Sequence, residues 1–327
     1  MLPKCYLNAA KAGGPEGIPN WILREYAEFL ACPVSIILNA SFKEQQLPRP
    51  WKLADATPLP KTKPVKEIKK DLRPISLTPS ISKVAEDFVV TEHVKPAVLR
   101  SLDPSQFGAI PKSSTTFALL EMLQEWSQGT DGNGSNIRTL LVDYKKAFDL
   151  IDHSILVKKV DNGFPIRSQR IKLSEGCVSE WGTVPSGVLH GTKLGPWLFL
   201  IMINSLTVSN ASIWKYVDDT TTSEVIKKGQ HSEAQGIVNE LVNWSIRNRV
   251  KLITDKCKEL RISFTSDCDF PPEVVGEECI KLVKDAELLG VTISGDLTWN
   301  AHITEVTKKA AKRLYFLVQL IRTFLFS

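Results

Sequence analysis

The sequence lacks the features that would assign it to several common classes of protein. No apolar run approaches the roughly 20 residues that a membrane-spanning helix needs, and the opening stretch MLPKCYLNAAKAGGPEG holds no apolar signal-peptide core. The six cysteines form no CxxC pair and have no histidine at the spacing of a zinc site, so neither a disulfide framework nor a zinc site is expected. We therefore expect free thiols and an intracellular protein of the nucleus or the cytoplasm, neither secreted nor bound to a membrane.

The composition is that of an ordinary soluble globular protein. Of the 327 residues, 43% are hydrophobic and 24% are charged, which is enough for two or three packed units. The net charge of +5 makes the chain mildly basic. This excess is compatible with a nucleic-acid partner but does not identify one.

Hydrophobic periodicity predicts a mixture of helices and strands. Helical spacing is seen over 18–31, 33–45, 80–100, 115–126, 191–206, 232–248 and 301–325. Strand-like runs end at Asp143, flank Asp218 and cover 258–264 and 288–294. From 137 to 294 the order is strand, helix, helix, strand-turn-strand, helix, strand, strand. This order predicts an α+β fold with helices on one face of a mainly antiparallel sheet.

The stretch YVDDTTTSEV (216–225) places Asp218 and Asp219 side by side between two β-prone runs. One interpretation is a solvated turn, because aspartate side chains bond to nearby backbone groups. The other is a metal site, because hard divalent cations prefer clustered oxygen ligands. Asp143, at the end of an earlier strand, favours the metal site. Three carboxylates that converge would repel one another and could bind two Mg²⁺ ions about 3.5–4 Å apart.

Three stretches resemble successive motifs of reverse transcriptases. They are LVDYKKAFDLIDHSIL (142–156), SGVLHGTKLGPWLFLIMIN (186–204) and KYVDDTT (215–221), and they follow one another in the family's order. Further matches, among them WKLADATPLPK (51–61) and QFGAIPKSSTT (106–116), extend the resemblance over nearly the whole chain. The sequence is similar to non-LTR retrotransposons of the jockey-like, LINE-type group.

The resemblance implies an RNA-directed DNA polymerase that adds dNTPs to the 3′-hydroxyl of a DNA primer on an RNA template. It implies the right-hand polymerase fold, with fingers in residues 1–136 and a palm in residues 137–299, where an antiparallel sheet packs on helices. Residues 300–327 would begin a thumb that is mostly missing. The implied cofactor is a pair of Mg²⁺ ions, with Mn²⁺ as the alternative metal.

The family's catalytic residues have counterparts in this sequence. By resemblance, Asp143 and Asp218 would share the metal ions and Asp219 would support them. The carbonyl of Tyr144 would add an oxygen ligand. Lys256 matches a lysine that donates a proton to the departing diphosphate. An equally open interpretation of Lys256 is a solvated lysine that precedes a strand.

Three residues match positions that contact the incoming nucleotide. Lys61 and Arg73 correspond to finger residues that bind the triphosphate, for which the planar fork of arginine is suited. The alternative is a solvated basic loop. Phe148 corresponds to an aromatic steric gate that would press on the sugar and disfavour a 2′-hydroxyl. From the sequence alone, an aromatic residue of the core is the simpler explanation of Phe148.

A glycine-containing loop before the helix at 191–206 carries both the family's pattern and departures from it. Gly187 and Gly191 would let the backbone approach template and nucleotide closely. His190 stands where the family has a glutamine that aligns template and nucleotide, and Leu189 replaces a stiffening proline. These departures favour a second hypothesis, a decayed copy that binds nucleic acid without turnover. A third hypothesis, an unrelated Mg²⁺ phosphotransferase or a structural module, rests on the acid pair alone.

Overall fold

The structure is a computed structural model that describes residues 8–61, 64–131, 135–145, 147–160, 168–174, 177–189, 191–265 and 270–325. It divides into two compact units, between which the chain passes several times. The first unit comprises Met1–Asp103, Lys146–Ser205 and Asn248–Val250, and the second comprises Pro104–Lys145, Leu206–Arg247 and Lys251–Ser327. Across the described ranges, no helix is long and apolar enough to cross a membrane. The division into finger, palm and thumb segments stays a prediction.

Helices occupy most of the segments that the periodicity indicates. They are α1 (Asn20–Glu25), α2 (Ala27–Glu44), α3 (Ile68–Asp71), α4 (Ser80–Val89), α5 (Lys95–Ser101), α6 (Thr115–Thr130), α7 (His153–Val160), α8 (Leu194–Ile203), α9 (Ala234–Asn248) and α10 (Asn300–Leu325). A π-helical turn, Val90–Val94, joins α4 to α5. The predicted helices over 80–100, 115–126 and 301–325 are therefore confirmed.

One predicted helix boundary is wrong. The sequence predicted a break before Pro33, whereas α2 runs through Pro33 and the break falls at Tyr26. A proline within a helix removes the N–H that would bond to the carbonyl four residues earlier, here that of Phe29. Pro33 and Phe29 are both exposed, so water can replace the lost hydrogen bond.

Among the described residues, strands form one five-stranded sheet in each unit, and the second unit adds two two-stranded sheets. They are β1 (Leu53–Pro60), β2 (Leu72–Leu77), β3 (Asn136–Val142), β4 (Ser168–Ser174), β5 (Cys177–Val178), β6 (Gly182–Thr183), β7 (Ser212–Tyr216), β8 (Asp219–Ile226), β9 (Lys258–Ile262), β10 (Val274–Val275), β11 (Glu278–Cys279), β12 (Lys281–Val283), β13 (Asp285–Leu288) and β14 (Val291–Ser294). In the first unit the strand order is β2-β1-β4-β5, with β6 paired to β4. In the second it is β12-β9-β3-β8-β7, antiparallel except for β12 and β9. Helices and mainly antiparallel strands together confirm the predicted α+β mixture.

The strand predicted over 288–294 is wrong as a single element. It is divided between β13 and β14, which form an antiparallel hairpin. Leu289 and Gly290 make the turn, with φ of 48° and 87°. Positive φ at both central residues is the geometry of the tightest hairpin turns. The sequence pattern missed the turn because only one of its two residues is glycine.

The central sheet of the second unit is buried on both faces, and helix α6 packs on one of them. On one face, Trp126 of α6 packs edge-on against Trp214, with ring centroids 6.4 Å apart. Ile137 and Leu260 belong to the same apolar cluster and are fully buried. Burial of such side chains stabilises the fold by roughly 1.5–3 kcal/mol each. On the opposite face of β3, Arg138 is buried as well and bonds to Ser232, just before α9.

Arg138 belongs to a buried network of charged residues. Its guanidinium bonds to Glu259, at 2.8 Å, and to Glu273, at 3.0 Å, while Arg261 also bonds to Glu259, at 2.7 Å. Although burial opposes it, the two arginines hold the pKa of Glu259 below its usual value. Glu273 Oε2 faces no donor among the described residues. Burial and the charge of Glu259 raise the pKa of Glu273 to about 8, which favours the protonated form of Glu273 at neutral pH.

The protonated Glu273 predicts a pH-dependent stability. Because its pKa is about 8 in the folded chain and 4.5 without the fold, the folded state binds the extra proton. Stability should therefore fall as the pH rises from about 5 to about 8, by a few kcal/mol. Glu273→Gln, a neutral mimic of the acid, should unfold at higher denaturant concentration than the parent at pH 8.5 and at nearly the same concentration at pH 5.

Glu277→Gln is the matched control, because Glu277 is exposed in the same segment. In denaturant unfolding at the two pH values, the midpoint of this control should change with pH by the same amount as the midpoint of the parent. An equal pH dependence in the Glu273→Gln variant and the parent would contradict the assignment.

Candidate active site

The register of two central strands sets the positions of the carboxylates at one end of the second unit's sheet. Val142, the last residue of β3, pairs with Thr220 of β8. Asp143 follows Val142, and Asp219 precedes Thr220, so the two aspartates occupy the next positions on adjacent strands. The fold thus brings Asp143 to the strand position next to Asp219. Their catalytic role stays a prediction.

Asp218 lies at the tip of the hairpin that joins β7 to β8. Tyr216 pairs with Asp219 across the hairpin, so the turn consists of Val217 and Asp218 alone. Val217 has a φ of 61°, a conformation that is strained for a β-branched residue. The tight turn places Asp218 and Asp219 at the protein surface.

The three carboxylates act on one another electrostatically. Partial burial and the negative charges of Asp218 and Asp143 raise the pKa of Asp219 to about 6. A raised pKa means that the local environment disfavours the ionised form. A cation bound here would remove that penalty.

Lys256 supplies positive charge beside Asp143. Its Nζ lies 3.3 Å from Asp143 Oδ2, in an ion pair that is largely exposed. The backbone also holds the two segments together, because the N–H of Ile253 donates to the carbonyl of Asp143 at 3.0 Å. Cys257, buried next to Lys256, has a pKa raised mainly by burial. Lys256 thus lies beside Asp143, and it is also an exposed lysine just before β9. Its role as a proton donor stays a prediction.

Tyr144 anchors the segment that follows Asp143. Its ring is buried and packs against Trp244, with centroids 6.0 Å apart. Burial raises the pKa of the Tyr144 hydroxyl, which lies beside Thr220. The residue pairs with Leu252 in an isolated bridge. In this bridge the N–H of Ile253 donates to the carbonyl of Asp143, and the N–H of Lys145 donates to the carbonyl of Lys251. The carbonyl of Tyr144 is not used in these hydrogen bonds, and its role as a metal ligand stays a prediction.

The donor set suits a divalent cation, although the ligands are not gathered around one centre. Within the described ranges, no three His, Cys, Asp or Glu side chains form a group that could already hold a metal ion. Asp143, Asp218 and Asp219 nevertheless offer carboxylate oxygens, the ligands that Mg²⁺ prefers. Their mutual repulsion at Asp219 is the feature that a cation would neutralise. These three residues are the ones that could hold the metal.

Lys61 and Arg73 lie at one end of the hairpin formed by β1 and β2 in the first unit. Arg73 pairs with Leu59 across the two strands. The N–H of Lys61, just after β1, donates to the carbonyl of Asp71 at 2.7 Å. Both basic side chains are exposed. The structure therefore brings these two predicted triphosphate contacts to the same end of one hairpin, and their contact with a nucleotide stays a prediction.

Phe148 is half-buried in the first unit. Its ring stacks on Phe199 of α8, with centroids 4.5 Å apart and planes 16° apart. This contact supports the core-aromatic interpretation that the sequence favoured. The steric-gate role implied by the resemblance stays a prediction.

The two glycines of the loop before α8 each lie in close contact with the backbone of another segment. Gly187 has a φ of 84°, and a Cβ there would lie 2.4 Å from the carbonyl oxygen of Asp149. Gly191 has a φ of 97°, and its Cβ would lie 2.8 Å from the carbonyl oxygen of Ser76. Both positions therefore require glycine for the fold itself. Their approach to template and nucleotide stays a prediction, and His190 lies outside the described residues.

Sequence reasoning missed the residues that support the hairpin tip. The side-chain oxygen of Gln106 accepts the N–H of Val217 at 3.2 Å. Gly108 lies against the same turn, where a Cβ would be 2.5 Å from the Val217 nitrogen. The sequence offered two signals of this contact. One is the glycine within QFG, and the other is the absence of glycine in the YVDD turn. Neither indicates by itself that the two segments meet.

The chain matches the family model described as reverse transcriptase (RNA-dependent DNA polymerase) over residues 59–293. A second family model, described as alkylated DNA repair protein alkB homolog 8, N-terminal, matches residues 299–325. The first match covers most of the chain and includes all three candidate carboxylates.

Curated relatives come from Drosophila mobile elements. The probable RNA-directed DNA polymerase from transposon X-element of Drosophila melanogaster is 26% identical over 326 residues, covering 92% of this chain and 35% of that protein. The RNA-directed DNA polymerase from mobile element jockey of the same species is 22% identical, covering 90% of this chain and 35% of that protein. The chain thus spans about a third of the length of these relatives.

A solved structure is also similar. Apo telomerase from Candida tropicalis, truncated from its C-terminal domain, aligns with a TM-score of 0.47 and 11% identity. The alignment covers 86% of this chain and 60% of that chain.

The carboxylate repulsion predicts how Mg²⁺ affects stability. In a metal-free buffer Asp219→Asn should raise the thermal unfolding temperature, because it removes one of the repelling charges. Adding Mg²⁺ at ten times its dissociation constant should stabilise the parent by about 1.4 kcal/mol and the variant by much less. Asp285→Asn, a substitution at an exposed carboxylate of β13, should have the parent's unfolding temperature and the parent's stabilisation by Mg²⁺. Full Mg²⁺ stabilisation of Asp219→Asn would contradict the proposed ligand set.

Proposed function

The chain belongs to the reverse transcriptase (RNA-dependent DNA polymerase) family, and we propose that it is the polymerase region of a non-LTR retroelement. In this proposal it copies an RNA template by adding dNTPs to the 3′-hydroxyl of a DNA primer. The relatives named as RNA-directed DNA polymerases of Drosophila mobile elements support it, at 22–26% identity over most of the chain.

The observation that carries the proposal is the meeting of Asp143 with the YVDD turn. Two strands in antiparallel register bring it beside Asp219, and the charges of Asp143 and Asp218 both act on Asp219. A carboxylate such as Asp219, whose ionisation is disfavoured by burial and by neighbouring charges, is typical of functional sites. An isolated solvated turn would not include a third carboxylate from a distant strand.

Asp143, Asp218 and Asp219 would hold two Mg²⁺ ions, or Mn²⁺ in their place, with the carbonyl of Tyr144 as a further ligand. When bound, such a pair of ions makes the primer hydroxyl a better nucleophile and stabilises the leaving diphosphate. The protein's own contribution is to hold the carboxylates on adjacent strands of a buried sheet. Lys256, 3.3 Å from Asp143, is placed at the same carboxylates and would donate a proton to the departing diphosphate.

The remaining substrate contacts would come from the first unit. Lys61 and Arg73 would bind the triphosphate as two exposed cations at one hairpin end. The Phe148 ring would limit the sugar to a 2′-deoxyribose, and Gly187 and Gly191 would shape the loop that faces template and nucleotide. His190 would take the place of the family's aligning glutamine.

The chain would work as a right-hand polymerase inside the cell, in the nucleus or the cytoplasm. Residues 1–136 would form the fingers, 137–299 the palm and 300–327 the first helix of a thumb. The net charge of +5 favours a phosphate-rich partner. RNA template, DNA primer and dNTPs are the proposed partners.

A second candidate is a catalytically decayed remnant that binds nucleic acid without turnover. The departures from the family's pattern in the loop before α8 favour it, because His190 stands in place of the aligning glutamine and Leu189 in place of a stiffening proline. Salt-dependent binding to a primer–template without extension would identify this case.

Primer extension tests the first candidate. The parent should incorporate dNTPs on an RNA template in Mg²⁺, and Asp218→Asn should reduce incorporation by roughly a hundredfold or more, since a lost metal site removes several kcal/mol of transition-state stabilisation. Both proteins should bind the primer–template with similar affinity.

Asp285→Asn serves as the control, because it removes a carboxylate of the same unit away from the hairpin tip. It should extend primers at the parent's rate. Extension by Asp218→Asn at the parent's rate would overturn the catalytic assignment, and binding without any extension by the parent would establish the decayed remnant.

A further inference from the structure

The backbone of the YVDD turn is held in a conformation that its own residues do not favour. Val217 has a φ of 61°, a region that β-branched residues rarely adopt because the side chain crowds the backbone. Such strain persists only where surrounding contacts enforce it. The contacts that enforce it in this protein come from the segment Ser105–Gly108.

This segment extends the sheet beyond β7. The N–H of Phe107 donates to the carbonyl of Lys215 at 2.7 Å, and the N–H of Lys215 donates to the carbonyl of Ser105 at 2.8 Å. Gln106 therefore lies parallel to β7, in a bridge with Lys215. The pairing brings the Gln106 side chain to the turn two residues further along the hairpin.

The Gln106 amide makes a specific contact with the turn. Its Oε1 accepts the N–H of Val217 at 3.2 Å and the N–H of Gly108 at 2.9 Å. The residue is only 2% exposed, so water is not available to replace these bonds. The side chain thus joins the strained turn to the neighbouring segment.

The amide nitrogen of Gln106 shows that the hydrogen bonds of the amide oxygen determine the orientation of the side chain. Gln106 Nε2 is buried and has no hydrogen-bond partner in the described part of the chain. An unsatisfied buried donor is costly. A flipped amide would instead place the NH₂ group against two backbone N–H groups. The observed orientation is therefore the one in which Val217 and Gly108 both receive an acceptor.

Gly108 permits the close approach that this contact needs. A Cβ at this position would lie 2.5 Å from the Val217 nitrogen and 2.8 Å from the Tyr216 carbonyl carbon. Any larger residue would displace the turn or the segment. The bare face of Gly108 and the acceptor of Gln106 together confine Val217 from the same side.

We propose that Gln106 is a positioning residue for the carboxylates, one that acts through the backbone of Val217. Its oxygen fixes the residue before Asp218 and thereby the direction in which the turn presents Asp218 and Asp219. The contact itself stands on the geometry, whereas its consequence for metal ions and turnover rests on the proposed function.

Gln106→Leu tests the proposal, because leucine lacks the acceptor. Amide hydrogen exchange of Val217, measured on overlapping peptides of the β7–β8 hairpin, should accelerate at least about tenfold, while β3 amides exchange as in the parent. Affinity for Mn²⁺ alone should fall about 10–100-fold, as for other residues that orient metal ligands. In primer extension kcat should fall and KM for dNTPs should stay near the parent's value.

Two variants separate the lost acceptor from general damage. Gln106→Glu keeps a carbonyl acceptor when the acid is protonated, which burial favours, so at pH 5 it should retain the slow exchange of Val217. Gln124→Leu makes the same change on the exposed side of α6 and should match the parent in every measurement. If Gln106→Leu does not fold, Gly108→Ala displaces the turn from the same side and should show the same faster exchange and weaker Mn²⁺ binding.

The proposal would be overturned if folded Gln106→Leu kept the parent's Val217 exchange rate and Mn²⁺ affinity. If the leucine variant does not fold, the same result in Gly108→Ala would overturn it. Failure of the proposed function would be recognised separately, because the parent itself would neither bind Mn²⁺ nor extend a primer. The exchange of Val217 would then still decide whether Gln106 holds the turn.

Discussion

Electrostatic repulsion among Asp143, Asp218 and Asp219 is the constraint around which the second unit is organised. The register of β3 on β8 places the carboxylates at one end of the sheet, where burial and the charges of Asp218 and Asp143 raise the pKa of Asp219. A fold tolerates such crowding only where the backbone is held firmly. The sheet provides this, because its central strands are buried on both faces and an added segment confines the hairpin tip.

The same unit contains a second group of carboxylates that is neutralised in a different way. Two arginines, of which Arg138 is buried, bond to Glu259, and burial with the charge of Glu259 raises the pKa of Glu273, which favours its neutral form. Beside the hairpin tip an exposed lysine, Lys256, pairs with Asp143. The first arrangement is buried and built mainly from ion pairs within the protein, which is typical of a structural role. The second leaves negative charge facing solvent, which is what a site for cations requires.

The first unit contributes rigid elements of its own. The hairpin of β1 and β2 carries Lys61 and Arg73 to one end, and the loop before α8 packs so tightly that Gly187 and Gly191 cannot carry a side chain. Phe148 stacks on Phe199, which fixes the ring that the resemblance assigns to sugar selection. A residue can serve both packing and substrate choice, because a steric gate must be immobile to discriminate by shape.

The sequence by itself determined the α+β mixture, most element positions, the family and the identity of the three carboxylates. These features depend on local periodicity and on motifs whose residues are close in the chain. Only the tertiary structure decided that the central sheet is covered on both faces, that α2 continues through Pro33 and that 288–294 belongs to a hairpin. It alone brought Gln106 to Val217 and Lys256 to Asp143. Such contacts join distant segments, and their geometry depends on strand register and packing, which no local pattern specifies.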